Sequence, residues 1–355
     1  MGGAIDDALW RWQHGGAPAA PFPAESIGFG DIEGWRGDDA SAALACYMRS
    51  VDLAARPLPK PGAASLPALL ADRSGARRFF EDTFAPFRIL AEPGLLTSYF
   101  EPVLRGSRTP SARYRIPVYR RPPDLEPLPR GHALAALGLT AGRKTGGGFA
   151  PYPERAEIEA GAIRGQGLEL LYLDDAIDAF IMHVQGSARI AFEDGSAARL
   201  TFDGKNGHPY RSIAQLLIER GALAAGDADL GGMIAWLRAE PDRRAVLAEN
   251  KSYIFFRELA ASAAGPRGSL GAELCPGRSL AVDPLYHTLG MPIWVSSPRL
   301  IFEGRPFRRL GIAQDTGSAI RGPQRGDIFA GSGEEAGRVA GRIRHSCECI
   351  VLGPK

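Results

Sequence analysis

Hydrophobic positions in the first part of the chain recur every three or four residues, and the period then changes to two. Two consecutive aspartates, which suit a helix cap, precede a predicted helix over residues 40–53. A proline-rich link separates it from a second helix over 66–87. From residue 95 apolar and polar side chains alternate, so residues 95–100 and 115–119 are predicted strands.

The middle of the chain is predicted to form strands followed by helices. Strands are predicted at 168–173, 178–185, 188–192 and 199–202, with a hairpin signal at 193–196. Helices are predicted at 212–220, 230–239 and 243–250, and short strands resume at 253–256. A β-rich middle bracketed by helices, with a second β-rich segment at the C-terminus, gives a two-domain outline that is compatible with an insertion; one large domain is the alternative.

Composition agrees with a globular, turn-rich β protein. The chain has 355 residues, 45% of them hydrophobic, which excludes global disorder; at about 150 residues per domain, this length suggests two domains. The 44 glycines and 28 prolines favour turns and short strands over a helical bundle. A formal charge of +2 without a long basic run gives no sign of nucleic-acid binding.

The cysteines and the first twenty residues say little about the cellular compartment in which the protein works. Cys46, Cys275, Cys347 and Cys349 show no zinc-type spacing, so structural or free thiols are favoured over a metal site. No run of about 18 apolar residues predicts a transmembrane segment. The first twenty residues contain no basic region followed by an apolar stretch and no lipobox cysteine, so no export signal is present in this sequence.

Three aspartates near the C-terminus are candidates for acid–base chemistry. Asp283, Asp315 and Asp327 lie in turn-rich contexts, and the last two adjoin apolar strand-like runs. A carboxyl held at a strand end and partly desolvated gains the raised pKa that a general acid needs. The alternative is that an aspartate beside glycine or proline serves only the turn.

Two polar clusters are candidates for substrate binding. The first is a glycine- and proline-punctuated loop that contains Lys205, Asn206, His208, Tyr210 and Arg211. The second is Gln185, Gly186 and Ser187, where glycine allows close approach to the backbone. Alternatively, residues 206–207 form an ordinary turn, and the neighbouring His183 is a core or surface residue.

The sequence contains no nucleophile elbow, dinucleotide fingerprint, Walker loop or zinc-protease motif, so nucleotide and metal chemistry have no support. Carboxylates remain, together with aromatic residues such as Tyr99, Phe100, Tyr210 and Trp294. This combination favours an enzyme that acts on polysaccharides.

Four blocks in this chain resemble the membrane-bound lytic murein transglycosylase A family. They are LLTSYFEPV at 95–103, FIMHVQGS at 180–187, GKNGHPYRSI at 204–213, and the run from AVDP at 281 through DTGSAI at 315 and DIF at 327 to GEEAG at 333. Their order and spacing agree with the family from about residue 26 to the end. The C-terminal part resembles the three-aspartate, or 3D, domain.

The resemblance implies a mainly β fold with flanking helices. A double-psi β-barrel domain would comprise residues 26–104 and 245–355, with the 3D domain at about 270–352. Residues 105–244 would form an inserted second β-barrel-like domain, with the substrate groove between the two. Residues 1–25 are predicted to be a flexible tail.

The resemblance also implies a reaction: cleavage of the β-1,4 bond between MurNAc and GlcNAc of peptidoglycan without water, which leaves a 1,6-anhydroMurNAc end. Such an enzyme is a carbon–oxygen lyase acting on polysaccharides. Asp327 matches the family's single catalytic carboxyl, acting as acid and then as base. Asp315 is expected to orient and support it, and Asp283 to have a more structural part.

Further expectations follow from the same resemblance. Substrate-binding residues would be Tyr99, Gln185, Gly186, Ser187, Lys205, Asn206, His208, Tyr210, Arg211, Asp283, Gly317 and Ser318. No cofactor or metal is implied. Peptidoglycan glycan strands are the expected partner, with cell-wall synthesis proteins as further candidates. The expected location is the periplasm, in association with the outer membrane or cell wall.

Two departures from the family pattern bear on the site. Ser318 replaces a glycine, and Gly326 stands where an aromatic residue often precedes the catalytic aspartate. Two other functions remain open on the sequence: an inverting glycoside hydrolase that uses Asp315 and Asp327 as a pair, and a non-catalytic, expansin-like glycan-binding module.

Overall fold

The computed structural model describes residues 22–129, 131–259 and 265–355. Its helices are α1 (Ala40–Met48), α2 (Leu66–Ala71), α3 (Arg73–Thr83), α4 (Arg155–Ala160), α5 (Ala176–Gln185), α6 (Ile213–Glu219), α7 (Leu230–Ala239) and α8 (Glu334–Gly341). Short 3-10 helices occur at Phe29–Asp31, Trp35–Gly37, Ala133–Leu137 and Pro241–Glu249.

Strands dominate the described residues. They are β1 (Ala24–Ser26), β2 (Phe84–Ile89), β3 (Gly94–Glu101), β4 (Val103–Ser107), β5 (Ile116–Tyr119), β6 (Leu125–Pro127), β7 (Ala141–Thr145), β8 (Gly148–Ala150), β9 (Glu169–Leu173), β10 (Ser187–Ala191), β11 (Ala197–Lys205), β12 (Ile254–Glu258), β13 (Ser279–Val282), β14 (Pro292–Phe302), β15 (Arg305–Thr316), β16 (Arg325–Ser332) and β17 (Arg344–Pro354). The predicted mainly β fold with flanking helices is confirmed. No helix in this part of the chain combines the length and apolar character needed to cross a membrane.

The chain divides into two compact units. The first consists of residues up to Tyr99, Arg267–Gly331 and Ile343–Lys355, and the second of Phe100–Pro266 and Ser332–Arg342. The second unit therefore includes residues 100–104, 245–266 and 332–342, which the sequence analysis assigned to the barrel domain. Residues 245–266 belong there because they contain β12, which pairs with β11 of the second unit in an antiparallel ladder.

The first unit contains a closed six-stranded barrel. Its strand order is β17-β14-β15-β13-β16-β3, and β3 pairs again with β17 to close the ring. β2 and β1 extend the sheet from β17. Residues 1–21 of the predicted tail lie outside the described residues, whereas Ala24 and Glu25 belong to β1 and pair with Ile89 and Arg88.

Helices α1 and α3 cover one face of this barrel. Asp39 caps α1 by accepting a hydrogen bond from the Ala42 amide, and Asp72 caps α3 in the same way. Between them, the rings of Tyr47, Phe80 and Phe84 pack at centroid distances of 5.8–6.0 Å. This apolar layer includes side chains of β14, β15 and β17, so the helices pack directly on these three barrel strands.

The second unit contains a six-stranded sheet in the order β12-β11-β10-β4-β9-β5 and a three-stranded sheet in the order β6-β7-β8. Its apolar core contains Leu171, Met182, Ile190, Leu200 and Phe256. All five side chains are buried, so α5 and the large sheet share one interior.

Several predictions of secondary structure differ from the structure. The predicted helix at 40–53 ends at Met48, and the one at 66–87 is two helices separated at Asp72. Residues 178–185 were predicted as a strand but belong to α5, capped by Asp175 at its start and ended by Gly186 at a φ of 76°. Residues 84–87 were predicted as helix but begin β2, because Pro86 disfavours helical geometry at the preceding residue. The predicted helix at 243–250 is part of the 3-10 helix Pro241–Glu249.

Candidate active site

Strand β13 lies between the two strands that carry the candidate carboxyls. Ala281 of β13 pairs with Asp315 of β15 on one side and with Asp327 of β16 on the other. Residues paired in this way project side chains onto the same face of a sheet, and strands lie about 4.8 Å apart. The two aspartate backbones are therefore about 10 Å apart, with both side chains on one face.

A β-bulge produces this pairing. The β13–β15 register shifts between Leu280 and Ala281, so that Gln314 is the extra residue and Asp315 comes opposite Ala281. The Gln314 side chain is fully buried and donates hydrogen bonds to the Cys46 carbonyl oxygen at 3.1 Å and to Ser50 Oγ at 2.8 Å. Helix α1 thus holds the bulge that aims Asp315.

Asp327 lies in a desolvated but partly accessible setting. Its Oδ1 accepts a hydrogen bond from the Thr97 hydroxyl, and Thr97 Oγ1 in turn accepts one from Arg325 Nη2 at 2.7 Å. Burial raises the pKa of Asp327 to about 6, a shift opposed by the Thr97 hydrogen bond and by the positive charge of Arg325. A carboxyl with this pKa exchanges protons near neutral pH.

Asp315 is held by four hydrogen bonds. Its Oδ1 accepts from the Ser269 amide and hydroxyl at 2.8 and 2.7 Å and from the Thr316 amide at 2.8 Å, and its Oδ2 accepts from Tyr99 OH at 3.0 Å. Burial raises the pKa of Asp315, while these donors counteract the rise. The carboxylate is immobilised beside Asp327.

Three residues of this network were missed by sequence reasoning. Thr97 precedes Tyr99 by two positions in a predicted strand, so alternation would have placed both on one face. Ser269 and Arg325 carry no comparable signal, because their roles depend on pairing with residues 46 and 228 positions away. Tyr99 itself is buried, with its ring 5.4 Å from that of Phe329.

Asp283 is a loop anchor. It is 1% exposed; its Oδ1 accepts from the Leu285 amide at 3.1 Å and its Oδ2 from the Gly322 amide at 2.8 Å. The expectation that it binds substrate is corrected, because almost no surface of the residue is accessible. It holds one end of the loop that contains Gly317 and Ser318, of which Ser318 is exposed.

The predicted loop at 205–211 contains both structural and exposed residues. Asn206 is fully buried and makes three hydrogen bonds to the backbone, two from Nδ2 at 2.9 Å and one to Oδ1 at 2.9 Å. It therefore fastens the loop and cannot contact a substrate, which corrects its assignment. His208 Nε2 hydrogen-bonds the Tyr152 carbonyl oxygen at 2.7 Å, while Arg211 is exposed and Lys205 is partly exposed.

Gln185 and Tyr210 lie together beside a cavity in the second unit. The cavity has a volume of about 160 Å³, and its walls come from α5, α6 and the start of α7. Gln185 Oε1 accepts a hydrogen bond from the Phe100 amide at 2.9 Å, which fixes the orientation of the side-chain amide. Gly186 ends α5, and Ser187 is buried at the start of β10, which leaves little of it for a ligand.

Neither a metal centre nor a disulfide is found in the described part of the chain. Within residues 22–129, 131–259 and 265–355, no three His, Cys, Asp or Glu side chains are grouped to hold a metal ion. Cys46, Cys347 and Cys349 are buried free thiols, and Cys275 is a partly buried one. His183 packs edge to face on Tyr253 at 4.4 Å and is a core residue.

Comparison with known proteins decides the family. Residues 95–257 match the MltA specific insert domain, and residues 278–353 match the 3D domain. A membrane-bound lytic murein transglycosylase from Agrobacterium tumefaciens shares 38% identity, and its crystal structure matches 94% of this chain and 98% of that chain with a TM-score of 0.83. The chain belongs to the membrane-bound lytic murein transglycosylase A family.

Two other members of the lytic murein transglycosylase A family extend the comparison. The Vibrio cholerae protein is 35% identical over 266 residues, which are 73% of this chain and 65% of that protein, so the chain spans just under two thirds of this relative. MltA from Escherichia coli, crystallised with bound chitohexaose, is 26% identical, with a TM-score of 0.67 over 95% of each chain.

Proposed function

We propose that the protein is a lytic transglycosylase that cleaves the β-1,4 bond between MurNAc and GlcNAc of peptidoglycan without water. The observation that carries the proposal is the environment of Asp327, whose pKa is raised to about 6 while a hydrogen-bonded chain from Thr97 and Arg325 fixes its orientation. Family membership supports the same activity, since the relatives are named for it.

Asp327 would act first as an acid and then as a base. In its protonated form it donates its proton to the glycosidic oxygen, and the departing GlcNAc leaves an oxocarbenium-like MurNAc. As a carboxylate it then takes the proton of the MurNAc C6 hydroxyl, whose oxygen closes the 1,6-anhydro ring. The proton count returns to its starting point, and no water is consumed. At pH 7 roughly one Asp327 in ten is protonated at a pKa of about 6.

Asp315 is assigned a supporting part. Its Oδ1 accepts three hydrogen bonds and its Oδ2 one, and these donors stabilise the charged carboxylate, which makes it a weaker base towards water. Its negative charge raises the pKa of Asp327, although burial is the larger cause. We therefore assign Asp315 to holding Tyr99 and to maintaining a protonatable Asp327.

Glycan binding would use those residues of the predicted clusters that are at least partly accessible. Gln185, Tyr210 and Arg211 in the second unit, and Gly317 and Ser318 in the first, remain the candidates for contacts with sugar hydroxyl and acetamido groups. Since the substrate is cell-wall peptidoglycan, we place the protein in the periplasm, associated with the outer membrane or cell wall. Cell-wall synthesis proteins remain candidate partners.

The decisive experiment is digestion of purified murein in ¹⁸O-labelled water, with mass analysis of the fragments. The lyase reaction gives ends one water lighter than hydrolysed ones and incorporates no label at the cleaved bond. Reducing ends that carry the label throughout would overturn the proposal. Asp327→Asn should abolish cleavage, whereas Asp315→Asn should retain a measurable fraction of it.

An inverting hydrolase is the second candidate, favoured by one observation. The backbones of Asp315 and Asp327 lie about 10 Å apart across β13, and inverting enzymes separate their carboxyls by about 6.5–9.5 Å. This reading predicts labelled products and equal damage from Asp315→Asn and Asp327→Asn. An expansin-like binding module predicts no turnover at all, with Asp327→Ala leaving glycan binding intact.

A further inference from the structure

The cavity of the second unit combines an apolar floor with a partly exposed rim. Its floor is apolar, formed by Phe180, Ile181 and Met233, each less than 8% exposed. Its rim includes Val184 and Tyr210, which are 42% and 38% exposed. The volume of about 160 Å³ suits one amino-acid side chain.

One acidic side chain gives this apolar cavity a charge. Asp229 is the one charged residue among those that line it, all of which belong to the described part of the chain. Its Oδ1 accepts a hydrogen bond from the Gly232 amide at 2.8 Å and caps α7. Arg211, which follows the rim residue Tyr210, is instead 3.6 Å from Glu219 and from Glu249.

We propose that this cavity binds the peptide stem of peptidoglycan through the side chain of its diamino acid. The alkyl part would lie on the apolar floor, and the terminal ammonium would meet the Asp229 carboxylate. The side-chain NH₂ of Gln185, whose Oε1 is already engaged, would donate to a peptide carbonyl. The assignment rests on the proposed function, because peptidoglycan is what supplies such a peptide beside the glycan.

Isothermal titration calorimetry with two matched ligands tests the assignment. One ligand is GlcNAc-MurNAc bearing L-Ala-γ-D-Glu-L-Lys, whose side chain is an alkyl stem that ends in a single ammonium, and the other is the same compound with that amine acetylated. Neither ligand contains a MurNAc–GlcNAc bond that the proposed reaction could cleave. Wild type should bind the free amine about three- to fivefold more tightly than the acetylated form, the size expected for an accessible charge pair.

Three variants isolate the contributions. Asp229→Asn keeps a good helix cap and removes the charge, so it should lose the preference for the free amine and bind the acetylated ligand as wild type does. Asp227→Asn removes the same charge two residues away, outside the cavity lining, and should keep the preference. Ala214→Leu fills the cavity and should weaken both ligands.

Equal binding of the two ligands by wild type would overturn the inference. So would an equal loss of the preference for the free amine in Asp227→Asn and Asp229→Asn. Failure of the proposed function is distinguished by a separate assay. If peptide-free glycan strands and murein both remain uncleaved by wild type, the lyase proposal fails, while the binding result with the two ligands still decides the peptide site.

Discussion

The catalytic potential of this site depends on how a few hydrogen bonds offset the burial of Asp327. The Thr97 hydroxyl donates a hydrogen bond to the Asp327 carboxylate and so stabilises its charged form. The Arg325 guanidinium donates to Thr97 Oγ1, and this directs the Thr97 proton towards Asp327. Desolvation still outweighs both effects, so the pKa stays near 6. Removing the hydroxyl should therefore move the pKa further upward.

Thr97→Val tests this balance. The valine has nearly the same shape but cannot donate to Asp327, so the pKa should rise by about one unit, the value of one hydrogen bond to a charged group. Since the first step of the proposed reaction needs Asp327 in its protonated form, the alkaline limb of kcat/KM for murein cleavage should shift to higher pH. Ser98→Ala is the control, because Ser98 Oγ donates to the Ile328 carbonyl oxygen instead. An unmoved alkaline limb in Thr97→Val would contradict the assignment.

Asp327→Asn should stabilise the fold at neutral pH. The folded-state pKa of about 6 lies above the ordinary 3.8, so the folded protein holds this proton more tightly than the unfolded chain. Stability contributed by the group is present below about pH 4 and is lost as pH rises through about 6. Asparagine does not ionise and avoids that loss, so the free energy of unfolding of the variant should exceed that of wild type by up to about 2–3 kcal/mol at neutral pH.

The measurement is urea unfolding of both proteins at pH 4 and pH 7.5. The variant should be more stable at pH 7.5, and the two proteins should differ little at pH 4, which serves as the internal control. A variant that is less stable than wild type at pH 7.5 would show that the charged carboxylate is stabilised overall by its neighbours.

At the scale of elements, the close approach of β3 to the segment before β16 places Thr97 beside Asp327. A Cβ added at Gly94 would lie 1.7 Å from the Gln324 carbonyl oxygen, so the backbone would have to move. Gly94→Ala should therefore displace β3, with a loss of murein cleavage of about 100-fold or more and about 1–3 kcal/mol of stability.

Gly30→Ala provides the matched control for this prediction. No atom lies within 4 Å of a Cβ built at Gly30, and its φ is not positive, so cleavage and stability should stay near wild type. Activity retained in Gly94→Ala would mean that the register of β3 does not set the position of Thr97.

Elements whose hydrophobic residues follow one clear helical or strand period could be predicted from the sequence. Short elements made of a continuous buried apolar run could not. Helix α7 was predicted with its observed ends, because Asp229 caps it and its pattern has a helical period. Helix α5 was mistaken for a strand, since a short buried apolar run looks alike in either state. The bulge at Gln314 was invisible, because it exists only in the pairing of β15 with β13.

At the scale of the whole molecule, the order of the predicted strands and helices suggested a two-domain outline, and the family resemblance supplied boundaries for it. The discontinuous first unit joins three stretches of chain, and no periodicity links them. No pattern in the sequence predicts that residues 332–342 belong to the second unit. There, Glu101 is fully buried, pairs with Arg199 at 2.7 Å and accepts a hydrogen bond from Ser332 Oγ at 2.6 Å. Such contacts between distant residues appear only in the fold.

The Asp38–Arg278 ion pair joins two of the chain stretches that form the first unit. Both side chains are buried; the bonds from Arg278 to the carboxylate measure 2.6 and 2.8 Å, and Asp38 Oδ2 also accepts from the Leu310 amide at 2.9 Å. Arg278 immediately precedes β13, the strand between the two candidate carboxyls. Asp38→Asn leaves a buried guanidinium without its counter-charge, so the free energy of unfolding should fall by about 3–5 kcal/mol.

Urea unfolding of Asp38→Asn and Asp52→Asn at pH 7 compares a buried pair with an exposed one. Asp52 pairs with Lys60 at 2.7 Å, but the two side chains are 76% and 54% exposed, so its removal should cost less than about 1 kcal/mol. If both variants lose equally little, the N-terminal segment is not held to β13 through this pair. The apolar layer beneath α1 and α3 would then carry the connection alone.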